Sequence, residues 1–182
     1  MNRKIIILIA LAFIFNSFVI SNQEKIKGWT MFVNGGNTSS YKFSVVYDEF
    51  RKSKVGYLKS MDEIKNKSGL VYQNFIPTDY KNKRVRISAF IKSVNVDKWC
   101  NFWIRIDDKN HKKALKIKTL RKNSIKGNTD WKKYEFDLEF PEASADFSFG
   151  VILIGNGEIY FDDFAFEIID INNDSNKKTS VY

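Results

Sequence analysis

From Trp29 onward, apolar and polar residues alternate in short runs, the period of strands that keep one face in a core and one in water. The clearest run is Trp131 to Phe140, where Tyr134, Phe136, Leu138 and Phe140 alternate with Lys133, Glu135, Asp137 and Glu139. Similar runs occupy Tyr41–Tyr47, Val55–Met61, Leu70–Ile76, Val85–Ser93, Cys100–Asp107, Ala114–Leu120, Phe147–Ile154 and Glu158–Ile169. They predict roughly nine or ten strands, the number a two-sheet antiparallel β-sandwich uses. The expected fold class is therefore all-β.

Turn residues separate the runs. Asn34-Gly35-Gly36-Asn37, Lys126-Gly127-Asn128-Thr129 and Gly155-Asn156-Gly157 tolerate positive φ, and the last predicts a tight hairpin joining the final two strands. Asp62 to Lys67 is the only stretch with a helical turn in prospect. From about Asn172 to Tyr182 the chain is polar and aperiodic, which predicts a disordered tail.

The pattern changes at the N-terminus. Arg3 and Lys4 precede an uncharged, mostly apolar run from Ile5 to Ser21, the outline of a signal peptide with cleavage expected after Ser21. The organisation read from this is a signal peptide over 1–21, a sandwich domain over 22–171 and a tail over 172–182. Export places the protein in the secreted, periplasmic or cell-surface compartment. A membrane enters only if the segment stays uncleaved, and the run is short for a span.

The chain carries a net charge of +9 at pH 7. Lysines are scattered through Lys52–Lys54, Lys81–Arg86 and Lys109–Lys126, which reads as a solvated surface, and export argues against nucleic acid as a partner. The single cysteine, Cys100, excludes an intramolecular disulfide, so stability rests on the core.

Catalysis finds no foothold. His111, the one histidine, sits between Asn110 and Lys112 without a carboxylate to orient it, and Cys100 alternates inward with Phe102, Ile104 and Ile106 as a core residue. No phosphate-cradling glycine loop and no Cys/His set with metal-ligand spacing is present. Two acids alone hydrolyse a glycosidic bond, but Asp107-Asp108 and Asp162-Asp163 are adjacent, so within a strand each pair points to opposite faces. No catalytic residue is assigned and no cofactor is required.

A binding face is easier to nominate. Opposite the apolar side of Cys100–Asp107 stand Asn101, Trp103, Arg105 and Asp107, an aromatic among hydrogen-bonding groups, which is how sugars are read. Arg86 with Ser88 and Phe90, and Gln73 with Phe75, each share one strand face. If those strands are neighbours, Gln73, Arg86, Trp103 and Arg105 line one concave sheet. Trp99, in the Asp97-Lys98-Trp99 loop, is a further platform candidate. The alternative is a satisfied polar network with Trp103 packed under a loop. Trp29 and Trp131 read as core aromatics where strands begin.

The stretch Gly69–Ile169 resembles a family of galactose-binding-like jelly-roll domains, some of which sit beside helix-turn-helix segments in bacterial regulators. The residues that carry the likeness are Val71-Tyr72-Gln73, Lys83 to Ala89, Trp103 to Asp107, Gly127 to Trp131, and Phe149 to Gly157. The closing Ile159-Tyr160-Phe161-Asp162-Asp163-Phe164 is similar to the last strand of many carbohydrate-binding modules. The resemblance implies a jelly roll and sugar binding. It also implies a structural calcium near Asp162 and Asp163, against which stands an ion pair with Arg86 or Arg105. Three functions follow in order: an exported, non-catalytic carbohydrate-binding module, a module contacting a cell-envelope component, and a glycosidase.

Overall fold

The computed structural model describes residues 26–35, 37–61, 67–110, 114–119 and 124–169. The signal segment, the 62–66 stretch, His111 and the C-terminal tail lie outside them. The described residues form nine strands: β1 (Thr30–Asn34), β2 (Tyr41–Asp48), β3 (Ser53–Ser60), β4 (Ser68–Phe75), β5 (Arg84–Asp107), β6 (Ala114–Thr119), β7 (Ile125–Glu139), β8 (Asp146–Ile154) and β9 (Glu158–Ile168). All pairings are antiparallel.

β5 explains the architecture. Its first half lies between β7 and β9, and its second half between β6 and β8. One strand thus serves two sheets: β7-β5-β9-β3-β2 and β6-β5-β8-β4-β1. The expected strands Val85–Ser93 and Cys100–Asp107 are the two arms of this single element. Between them the register with β7 shifts three times, and Asn95 takes φ 51°, a conformation asparagine tolerates. β7 holds the bend in place: the Ser93 hydroxyl donates to the Gly127 carbonyl at 3.1 Å, and the Asn95 amide N–H donates to Asn128 Oδ1 at 2.8 Å. Lys126–Thr129, expected as a turn, is therefore strand.

The two sheets close on a core made by the inward side of each alternating run. Phe102 of β5 stacks on Phe136 of β7 with centroids 4.9 Å apart, and Phe149 of β8 meets Phe166 of β9 edge-on at 4.8 Å. Such offset and edge contacts add to the area term that dominates burial. Cys100 is fully buried in this core, and burial pushes its thiol up to about 12. It should resist iodoacetamide at pH 8 in the native state and alkylate only once denaturant opens the fold; rapid native alkylation would contradict its placement.

The segment Gly155-Asn156-Gly157 is not the expected hairpin. β8 and β9 belong to different sheets, and the turn carries the chain across the sandwich. Gly155 and Gly157 both have positive φ, and Asp97 accepts from the Asn156 backbone at 2.7 Å and its side chain at 2.9 Å. Tyr41 anchors the same corner, its hydroxyl donating to the Gly155 carbonyl at 2.9 Å. Turn chemistry located the turn, while the sheet that the next strand joins is set by packing.

Candidate functional site

The outward face of the second sheet gathers the aromatic and polar residues expected of β5. Because paired residues of an antiparallel ladder share a face, Trp99, Asn101, Trp103, Arg105 and Asp107 stand in a column beside Ile154, Ile152, Gly150, Ser148 and Asp146 of β8. Next comes the β4 column of Ser68, Leu70, Tyr72 and Asn74. Trp103 and Tyr72 occupy one row with Gly150 between them, and with no side chain there the two rings approach to 6.1 Å, edge to face. A Cβ at Gly150 would lie 2.0 Å from the Val71 carbonyl oxygen, so the strands come close here only because the residue is glycine.

A polar end flanks this aromatic row. Arg105 is held by two hydrogen bonds to Asp107, Nε to Oδ2 at 2.7 Å and a terminal nitrogen to Oδ1 at 2.8 Å, and this pairing raises the guanidinium pKa further. Asp107 is almost buried while Arg105 stays 40% exposed, so the carboxylate fixes a cationic plane that faces solvent. Alongside, Asp146 accepts from the Asn74 amide at 2.9 Å and from the Ser148 hydroxyl at 3.3 Å. On the other side Phe32, Leu70 and Ile152 make an apolar flank.

Two groups on this face have no partner among the described residues. Asn101 is fully buried with both amide atoms unpaired, and the Trp103 indole N–H is buried and unpaired. Each such group costs about 1–3 kcal/mol when unsatisfied. The Arg105–Asp107 part of the face is a satisfied network, whereas the Asn101 amide and the Trp103 N–H are buried beneath it without a partner among the described residues.

Of the other nominated residues, Trp99 shares the Trp103 column, while Arg86 and Gln73 lie on other surfaces. Trp99 is within β5, just past its bend, and not in a loop. Arg86 is on the outside of the first sheet, because the strand that carries it is the other arm of β5. Asp137 takes the Arg86 guanidinium at 3.0 and 3.3 Å and Arg84 at 2.9 Å. Gln73 points inward from β4, into a cleft between the sheet edges. Gln73, Arg86, Trp103 and Arg105 therefore do not line one concave sheet: three different surfaces hold them.

The hydrogen bonds from Arg86 hold the Asp137 carboxyl below the usual carboxylate range, against partial burial that pushes it up. A depressed native pKa adds stability that is complete above about pH 4 and is lost as pH falls through the lowered value. The Asp137→Asn variant should thus lose urea resistance at pH 7 and approach the parent near pH 2. A pH-independent gap would contradict this linkage.

Asp162 and Asp163 meet neither Arg86 nor Arg105. Arg51 takes both, its Nε 3.1 Å from Asp162 Oδ2 and a terminal nitrogen on Asp163. A bulge in β9, with Asp163 at φ 50°, brings the two adjacent carboxylates onto one guanidinium. The Arg51 plane also lies over the rings of Phe90 and Trp131, 4.7 and 4.9 Å from their centroids. Among the described residues no group of three or more His, Cys, Asp or Glu side chains is placed to hold a metal ion. One carboxylate oxygen of each aspartate, Oδ2, is engaged by a cation of the chain itself, and two carboxylates alone fall short of the six to eight oxygens calcium takes.

The fold is a galactose-binding-like jelly roll, the β-sandwich that similar solved carbohydrate-binding modules also adopt. Carbohydrate-binding modules predominate among similar solved structures. One is TmCBM61 in complex with β-1,4-galactotriose, with a TM-score of 0.53 and 13% identity over 79% of this chain and 90% of that one. The enzymatically active domain of tailspike protein 4 of bacteriophage CBA120 superposes with a TM-score of 0.62 and 13% identity over 79% of this chain, though over 20% of that chain. Identities this low speak to fold alone. In sequence, the chain is 32% identical over 150 residues, 81% of its length, to an uncharacterized HTH-type transcriptional regulator, YbfP, of Bacillus subtilis (strain 168), and spans 50% of that relative. No protein-family model matches.

Proposed function

We propose that this protein is a non-catalytic carbohydrate-binding module and that the outward face of its second sheet, centred on Trp103, is the binding surface. The observation that carries the reading is the row Trp103–Gly150–Tyr72 beside the Arg105–Asp107 pair. An indole and a phenol offer stacking surface to the C–H face of a sugar ring, and a fixed guanidinium with nearby Asn74 and Ser148 offers donors to hydroxyls. The prevalence of sugar-binding modules among proteins of this fold supports the same ligand class.

The test is a broad glycan array followed by calorimetry on the hits, with product analysis for turnover. Saturable binding without cleavage supports the proposal, and silence across the array with capture of an envelope protein would favour the contact module. The export pattern of residues 1–21 belongs to the same reading and is checked by N-terminal sequencing of the cell-surface or culture fraction, which should begin at Asn22.

A further inference from the structure

The sandwich is open along the side where β1 and β4 of one sheet face β2, β3 and β9 of the other. A cleft of about 410 Å³ lies there, within the roughly 300–1,000 Å³ of small-molecule sites. Its walls are rings: Trp29, Phe43, Phe149, Phe161, Phe164 and Phe166. Trp29 contacts four phenylalanines at centroid distances of 5.3 to 6.1 Å, so the walls are fixed by mutual packing. Gly56 lets the Phe161 ring cross β3, since a Cβ there would lie 2.3 Å from it.

One polar side chain enters this cleft from the inner face of a strand. The Gln73 side chain makes no hydrogen bond with the described residues, although its neighbours on that face are Val71 of the core and Phe75 packed against the core. The amide is only part-buried and lines the cleft, so its donor and acceptor are available to a guest that reaches the aromatic walls. The rim charges balance: Asp162 and Asp163 are matched by Arg51, which clasps both, and Lys54. A charged guest would upset that balance and bring an ion against aromatic walls. A sugar fits poorly too, because its many hydroxyls would meet rings where one amide is on offer.

From these features we infer that the cleft is a second binding site, separate from the Trp103 face, for a neutral planar molecule of one or two rings bearing a hydroxyl. The ring body packs among Trp29, Phe43 and Phe161, and the hydroxyl pairs with the Gln73 amide. The proposal does not depend on sugar binding, because Gln73 and Trp103 lie on opposite faces of the second sheet.

The experiment is calorimetric titration of the intact protein with 2-naphthol, with naphthalene-2-sulfonate as the charged counterpart. Saturable one-site binding of 2-naphthol is expected, with the sulfonate about tenfold weaker or worse. Gln73→Leu should weaken 2-naphthol about three- to tenfold, the worth of one hydrogen bond. Val45→Trp places an indole at the cleft's open edge, where Val45 is 42% exposed on an edge strand, and should abolish binding. Trp103→Ala should leave the affinity unchanged. Absence of saturable 2-naphthol binding, equal affinity for the sulfonate, or binding that survives Val45→Trp would overturn the assignment. Should Val45→Trp fail to fold, Gln73→Leu decides, and an unchanged affinity overturns it.

Discussion

Trp103→Ala should weaken glycan binding by about thirtyfold to several hundredfold, the 2–4 kcal/mol typical of a dominant aromatic contact. The indole supplies the largest flat surface on the outward face of the second sheet, and the N–H it carries has no partner within the described residues. Truncation removes that stacking surface. Stability should suffer far less, because the ring is only half-buried and meets Tyr72 alone among the aromatic residues described. Trp131→Ala is the matched comparison: its ring lies under Arg51 on the first sheet, so it should leave sugar affinity intact. Calorimetry on both variants with the best array hit decides the matter. Equal losses from Trp103→Ala and Trp131→Ala would mean that the site is elsewhere.

The second large effect concerns the floor beneath that site. Gly150→Ala should destabilise the fold by about 3 kcal/mol or more, the upper end of what overpacking costs. The added Cβ would sit 2.0 Å from the Val71 carbonyl oxygen and 2.8 Å from the Tyr72 Cα, both backbone atoms of a strand fixed by ladders on each side. No side-chain rotation relieves that clash, and any shift of β4 would also separate Tyr72 from Trp103. Gly127→Ala provides the contrast. There nothing lies within 4 Å and only the positive φ of 67° opposes a side chain, worth about 1 kcal/mol. Guanidinium unfolding midpoints should therefore fall much further for Gly150→Ala. Similar midpoints would contradict the close approach of β4 and β8.

The strands were legible because alternation is a local property, and the inward residues of each run form the core. What alternation cannot encode is connection. The apolar phase of β5 switches from odd positions (Val85 to Ile91) to even ones (Val94 to Ile106), so it reads as two strands, yet Asn95 at positive φ lets one strand bend from sheet to sheet. That single feature separates Arg86 from Trp103, since the faces of the two arms look out of opposite sides of the sandwich. Likewise Gly155 to Gly157 announced a turn without announcing which sheet β9 would join.

The site was half legible for the same reason. Asn101, Trp103, Arg105 and Asp107 share a face by period alone, and the ladders keep them together. Tyr72, Asn74, Asp146 and Ser148 come from strands far off in sequence, and nothing local marks them as neighbours of Trp103. Gly150 was the one available signal: a glycine inside the apolar run Phe147–Ile154 marks close backbone approach. The Asp162-Asp163 pair illustrates the opposite case. Strict alternation sends adjacent side chains apart, whereas the β9 bulge turns both toward Arg51.

The central claim is that sugar meets the Trp103 face of the second sheet. Its most direct test is a glycan titration of protein labelled with 15N at the tryptophan indoles, assigned by single substitution. The account predicts saturable shifts of the Trp103 resonance, smaller ones at Trp99, and stationary signals from Trp29 and Trp131. A glycan that moves Trp29 or Trp131 while leaving Trp103 in place would contradict it.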